Sequence, residues 1–254
     1  SHELRTPLTI LRGEIDALVE RTLKTFDVPG IAVAVIKDDK VIHAKGYGVR
    51  SLKTQQKVDE NTLFGVASNS KAYTAAALGM LVDEKKIKWD TKVTDIIPEF
   101  KLYNPFVTEE FTIRDLLCHR SGMGLGAGDL MMWPDSSDFT KADIIHNLRY
   151  LKPVSSFRSK YDYDNNLYIV AGEVVARVSG TSWEDFVEKR IMQPLGMTKT
   201  AASGLLTYLP VLAVFACRFN RPAVSVCLPR SGISLHKKPM PRTMVKSLTV
   251  TLPK

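Results

Sequence analysis

Residues 61–83 constrain the chain more than any other stretch. A short apolar run, Leu63–Ala67, stops at Ser68, and an Ala- and Leu-rich segment without proline follows. Strong helix formers in an unbroken row predict a buried helix there. Ser68 and Lys71 are three residues apart, so one helical turn puts both side chains on one face. A serine hydroxyl is a weak nucleophile at its free pKa and needs a neighbouring base, and a lysine amine serves when burial depresses its pKa. A serine in the first turn also has its backbone N–H placed to help cradle an oxyanion. The spacing alone is not specific. A second Ser-x-x-Lys, Ser234–Lys237, occurs without catalytic context, and an isolated match reads better as a helix N-cap beside a solvated lysine.

The flanking sequence supplies the context. Glu14–Phe26 carries Ile15, Leu18, Val19 and Leu23 at helical spacing and is ended by Val28-Pro29-Gly30. Ile31–Ile36 and Val41–Gly48 are strand-like runs around Asp38-Asp39-Lys40, which predicts a hairpin. Ile87–Phe100 reads as a loop and a short helix closed by Pro98. Thr112-Ile-Arg-Asp115 is a capping box that opens a helix through Cys118 and leads into His119-Arg120-Ser121-Gly122. Thr140–Leu151 and Asn165–Val178 are further helical stretches, and Ser182–Asp185 is a second capping box for a helix to about Ile191. Gly122–Ala127 fits a loose G-x-G-x-x-A fingerprint, but it follows a helix and no βαβ unit surrounds it. It is read as a flexible loop.

Charge divides the chain. Residues 1–190 hold 26 Lys and Arg against 27 Asp and Glu, whereas residues 191–254 hold nine basic residues and no acidic one. The basic residues are scattered among Pro, Leu, Val and Ser rather than clustered, so no nucleic-acid partner is expected. Residues 201–254 read as a basic, acid-free tail of different design that is poorly ordered. No apolar run reaches the roughly 20 residues of a membrane span. Three cysteines (Cys118, Cys217, Cys227) lack metal-type spacing, and an odd number argues against a disulfide framework. No secretory signal is visible and the chain begins at Ser. The expected location is cytoplasmic by default, with a periplasmic or secreted one open if a segment lies upstream.

Tyr163-Asp164-Asn165 is the second chemical motif. A phenol beside such a lysine exchanges protons with the serine when the lysine's charge depresses its pKa, and Asn165 offers a donor and an acceptor to a substrate amide. Alone, Tyr-x-Asn reads as a helix entry with Asn as N-cap.

Taken with Val28–Val35, Gly46-Tyr-Gly-Val49, Thr62-Leu-Phe64, Leu116–Gly122 and Pro194–Met197, the Ser68-Asn-Ser-Lys71 and Tyr163-Asp-Asn165 blocks make residues from about 14 to 200 resemble the serine β-lactamase-related superfamily. The branch is that of class C β-lactamases, family VIII carboxylesterases and DD-peptidases. The resemblance implies an α+β fold: an antiparallel sheet flanked by helices, plus a mainly helical subdomain of about residues 70–165. It implies Ser68 as acylated nucleophile, Lys71 as its proton partner, Tyr163 as general base and acid, and Asn165 as a substrate-binding residue, with His119 structural. The implied function is hydrolysis of a small ester, amide or β-lactam through an acyl-serine, with no metal or cofactor.

The family pattern stops after Thr200. Its third motif, Lys/His-Thr/Ser-Gly or Trp-Gly-Gly on a late strand, is imitated only by Arg230-Ser-Gly232, so the sheet is expected to lack its C-terminal part. Residues 1–18 separately resemble the phosphoacceptor box of sensor histidine kinases, with His2 at the phosphorylated position. The expected division is thus a fused or leftover helix (1–18), a truncated hydrolase domain (19–200) and the tail (201–254). Two alternatives stay open: an inactive remnant that at most binds penicillin-like ligands, and a signalling fragment acting through His2.

Overall fold

The computed structural model describes residues 5–132, 138–202, 214–215 and 250–251. His2, Ser234–Lys237, Arg230–Gly232, Cys217 and Cys227 lie outside them, as does nearly all of the stretch expected to be poorly ordered. The chain divides into two units, one of residues 1–66, 195–201 and 214–254, the other of residues 67–194 and 202–213.

The first unit opens with α1, Arg5–Thr25, which runs unbroken through the division expected at residue 18. It covers a hairpin of β1, Gly30–Lys37, and β2, Lys40–Gly48. Val19 of α1 is buried with Ile31 and Tyr47, and Ile15, Leu23, Val28 and Val33 surround them. Polar groups fix the helix in place. Arg12 Nε donates to the Ile42 carbonyl at 2.9 Å, and the Asp16 carboxylate accepts from Tyr47 Oη at 2.5 Å and Lys45 Nζ at 2.9 Å. The hairpin turns at Asp38 and Asp39, whose φ values of 49° and 58° are both positive, as a type I′ turn requires. Gly48 (φ 69°) is needed as glycine, because a Cβ there would run into the Pro29 carbonyl. The remaining strands are short. β3 (Phe64–Gly65), β5 (Val214–Phe215) and β4 (Thr200–Ala201) form one antiparallel sheet in that order, while β6 (Val250–Thr251) pairs antiparallel with Ile31 and Ala32 of β1.

The second unit is helical. It contains α2 (Ser70–Asp83), α3 (Pro105–Glu110), α4 (Ile113–Leu117), α5 (Lys141–Asn147), α6 (Asn166–Ser179) and α7 (Trp183–Val187), the last continued by a π-helical turn, Glu188–Met192. The unit extends to Pro194, beyond the limit of about 165 expected from sequence, because α2 packs on both α6 and α7. Leu78, Leu81, Phe100, Phe111, Leu116, Leu167, Ile169 and Trp183 are fully buried. Both expected N-caps form at Thr112 and Ser182. The Thr112 box is reciprocal, whereas Ser182 simply accepts from the Asp185 N–H at 3.1 Å. Two helices are shorter than expected. Thr140–Leu151 becomes α5 and a 3₁₀ turn, Leu148–Tyr150, and the short helix before Pro98 is only the 3₁₀ turn Val93–Asp95. The glycine loop after His119 is tied down on both sides: the Gly122 carbonyl accepts from Val154 N–H (2.8 Å) and Ser155 N–H (3.2 Å), and Gly126 N–H donates to the Tyr163 carbonyl (3.1 Å).

Candidate active site

Ser68 does not begin the helix, as the spacing suggested. It lies in the 3₁₀ turn Ala67–Asn69, and α2 starts at Ser70. The cause is Ala67, whose φ of 44° is left-handed and unusual for a residue with a Cβ. Ser68 is consequently exposed, while Lys71, one turn on, is buried. Strained backbone of this kind collects at functional positions, where the surrounding fold over-determines it.

Lys71 reaches back to the serine. Its Nζ donates to Ser68 Oγ at 3.0 Å, to Tyr163 Oη at 2.7 Å and to Asn165 Oδ1 at 2.8 Å. Ser68 Oγ and Tyr163 Oη are 2.5 Å apart. All four sequence-predicted residues therefore meet around one nitrogen. Burial lowers the Lys71 pKa, and the hydrogen bond and charge of Tyr163, followed by the charges of Asp129 and Asp164, only partly restore it. Nζ also sits 4.7 Å from the Tyr163 ring centroid and 5.2 Å from that of Tyr168.

The segment that presents Tyr163 is held by residues of quieter chemistry. His119 is buried, its ring stacked on Tyr163 at 4.4 Å between centroids. Its Nδ1 accepts from the Asp164 N–H at 3.1 Å, which leaves the proton of the neutral ring on Nε2. Burial and then the nearby Lys71 charge lower the His119 pKa, so the neutral form is the stable one. Asn165 was expected to orient substrate, or alternatively to cap α6. Its side chain caps nothing; Asp164 Oδ1 takes that place by accepting from Leu167 N–H at 3.0 Å. The Asn165 side chain links Lys71 to Asp129, accepting from Nζ and donating from Nδ2 to both carboxylate oxygens at 3.2 and 3.0 Å. Neither Asp129 nor Asp164 stood out in the sequence. The only signal was proximity: Asp164 lies inside the Tyr-x-Asn motif, and Asp129 ends the glycine loop that follows His119.

Asp164 is completely buried, and its Oδ2 has no hydrogen-bond partner among the described residues. Burial pushes its carboxyl up to about 7. Among the described residues, no cluster of three or more His, Cys, Asp or Glu side chains could hold a metal ion, and no helix is long and apolar enough to cross a membrane. A half-open cavity of about 480 Å³ lies elsewhere in the helical unit, lined by Leu102, Met123 and Phe157 among others, and Ser68, Lys71 and Tyr163 take no part in it.

An antiparallel sheet, a helical unit and a serine one turn ahead of a buried lysine define the β-lactamase/transpeptidase class of fold. The chain belongs to the Beta-lactamase family, whose family model matches residues 15–204. It is 36% identical over 197 residues to the unguisins hydrolase ungD of Aspergillus violaceofuscus (strain CBS 115571), covering 76% of this chain and 35% of that protein. Among solved structures it is similar to the octameric penicillin-binding protein homologue of Pyrococcus abyssi, with a TM-score of 0.66 and 28% identity over 75% of this chain and 44% of the other. It is also similar to a class C β-lactamase carrying a Y150F substitution, with a TM-score of 0.63 and 26% identity over 74% of this chain and 50% of the other. The chain thus spans about a third of the length of that curated relative and half or less of those two structures. Family membership gives it a serine hydrolase-like fold.

Proposed function

We propose that the chain hydrolyses a small ester, amide or β-lactam through an acyl-enzyme on Ser68. Ser68 Oγ attacks the carbonyl carbon while its proton moves along their 2.5 Å hydrogen bond to Tyr163 Oη, which takes it as the phenolate held beside the Lys71 ammonium. The donors of Lys71 steady the developing charge on both oxygens. Tyr163 then returns the proton to the leaving alcohol or amine as the carbonyl–heteroatom bond breaks. In the second half, Tyr163 deprotonates a water that attacks the acyl ester, which releases the acid and restores the serine. The observation that carries this reading is the reach of Lys71 Nζ to Ser68, Tyr163 and Asn165 within 3.0 Å. The family and its hydrolase-named relative support it.

A second reading, a protein that is acylated by penicillin-like ligands without turning them over, is favoured by one observation. Past Thr200 the family's third motif is only imitated, by Arg230-Ser-Gly232, in a chain that covers 35% of its relative. Intact-mass labelling with a fluorophosphonate and with benzylpenicillin tests both readings. An adduct lost in Ser68→Ala, with turnover of a chromogenic ester, supports hydrolysis. A stable adduct without turnover supports the second reading, and labelling that survives Ser68→Ala sinks both.

A further inference from the structure

We propose that Asp129 is a positioning residue for this site: its carboxylate fixes the Asn165 amide with the oxygen toward Lys71, and so holds the lysine nitrogen between Ser68 and Tyr163. The inference rests on the acyl-transfer reading above and extends it by one residue. An amide side chain has a donor end and an acceptor end of nearly equal size, and its partners decide which way it points. A carboxylate only accepts, so the two Asp129 oxygens, at 3.2 and 3.0 Å, select the Asn165 NH₂. Oδ1 is then left to face Lys71 Nζ at 2.8 Å. The opposite orientation would set NH₂ against ammonium, and it would turn an acceptor toward the carboxylate.

Asp129 is itself held. Gly126 N–H donates to the Tyr163 carbonyl at 3.1 Å, Asn166 Nδ2 donates to the Ala127 carbonyl at 2.7 Å, and Asp129 N–H donates to the Gly126 carbonyl at 3.1 Å. The turn cannot easily carry a larger residue at Gly128. Its φ is 77°, and a Cβ would come within 2.9 Å of atoms of Asn166, Met131 and Leu151. The turn and the Tyr163–Asn166 segment are thus fastened at three points, of which the Asp129–Asn165 contact is the one that leads to Lys71.

The charged and titratable groups facing Lys71 are Tyr163, Asp129 and Asp164, with His119 and Tyr168 beside them. Asp129 contributes a negative charge that favours the ammonium form. The test uses the whole chain carrying [¹³Cε]-lysine, with the Lys71 signal assigned by its loss in Lys71→Ala. Both Asp129→Asn and Asp129→Ala remove the charge, so the Lys71 titration is expected to move to lower pH in both. A titration unchanged in both variants overturns the proposal.

Only Asp129→Ala removes the acceptor that orients the amide, since an Asn at 129 still presents an oxygen. Phosphonylation of Ser68 by a fluorophosphonate, in which the Oγ–P bond forms as fluoride leaves, is therefore expected to slow about 10- to 100-fold in Asp129→Ala and clearly less in Asp129→Asn, the scale of losing one hydrogen bond to a charged group. Equal rates in the two variants overturn the orienting role. If Asp129→Ala fails to fold, by circular dichroism, Asp129→Asn against the parent still decides the charge, and Asn165→Asp, which replaces the NH₂ with an oxygen that repels Asp129, replaces it in the rate comparison. An absence of labelling in the parent chain counts against the acyl-enzyme reading, while the lysine titration still decides for or against Asp129.

Discussion

An ammonium has three protons, and Lys71 Nζ has Ser68, Tyr163 and Asn165 as acceptors within 3.0 Å, so the side chain is saturated without water. That accounting sets the first prediction. Ser68→Ala is expected to abolish acylation, and Lys71→Ala to slow it by about 10²–10⁴, the range for a positioned proton-transfer group. Stopped-flow acylation with an activated ester measures both. A Lys71→Ala rate within threefold of the parent would remove the lysine from the mechanism. The second prediction concerns Asp164, whose folded-state pKa is raised from 3.8 to about 7 by burial. A raised acid binds its proton more tightly in the fold. Its contribution to stability is therefore complete below about pH 4 and is lost as the pH rises through 7, at up to about 1.4 kcal/mol per pH unit inside that window. Asp164→Asn cannot ionise, so its Tm is expected to fall less than the parent's between pH 5 and pH 8. Parallel melting curves across that range would refute the assignment. Ser68, Lys71 and Tyr163 were legible because their chemistry needs those residue types in a recognisable pattern. Asp129 and Asp164 were not, since a carboxylate in a loop or at a helix entry looks like any solvated or capping acid until its partners are seen.

Elements follow the same division. The hairpin was legible because β-branched runs flank two Asp residues that tolerate positive φ, and α4 ends just before His119, which takes up a φ of 54°. The start of α2 was not legible, because alanine gives no hint that Ala67 is left-handed. Nor was the anchor of α4. Its capping carboxylate, Asp115, accepts from Thr112 N–H and Oγ1 at 2.9 and 2.7 Å, and also pairs with Arg158 through two bonds of 2.8 and 2.6 Å. Burial alone would push the Asp115 carboxyl up; the bonds from Arg158 and Thr112 outweigh it and hold the group below its ordinary value. A lowered carboxyl contributes stability above the unfolded value of 3.8 and loses it as pH falls through the folded one. Arg158→Ala leaves the buried carboxylate without its cation. Because the Arg158 side chain is 46% exposed, the cost is put below that of a fully buried pair, at about 1–2 kcal/mol at pH 7. Chemical denaturation at pH 7 and at pH 3 checks this: the deficit should shrink at pH 3, and an equal deficit at both would mean that Arg158 acts through packing alone.

At the scale of the whole molecule, Ser68, Lys71, Tyr163 and Asn165 all belong to the helical unit, whose helices bury Leu78, Leu116, Leu167 and Trp183 and whose motifs the sequence displays. The strands are a different matter. β4, β5 and β6 contribute two residues each, and β5 and β6 arise from the acid-free stretch where no periodicity marks them. Acyl transfer asks for two donors at the developing oxyanion, and losing one costs roughly 10²–10³ in rate where it has been tested. On the proposed acyl-transfer reading, the N–H of Ser68, in the turn that leads into α2, would be one donor. The family's other donor comes from the late strand that carries the third motif, which past Thr200 only Arg230-Ser-Gly232 imitates. A relay with one donor should still react with an electrophile as strong as a fluorophosphonate, because little charge must be stabilised, yet turn over an unactivated ester slowly. Residues 1–254 are therefore expected to label at Ser68 readily but to hydrolyse ester and chromogenic β-lactam about 10²–10³ more slowly than a chimera in which residues 201–254 give way to the corresponding strands of a full-length relative. Steady-state turnover of the two proteins, beside their labelling rates, measures the gap. Equal turnover would mean that residues 201–254 themselves provide the second donor. Arg230→Ala and Gly232→Pro, which alter the imitation motif, would then be expected to lower turnover while leaving labelling by the fluorophosphonate nearly as fast.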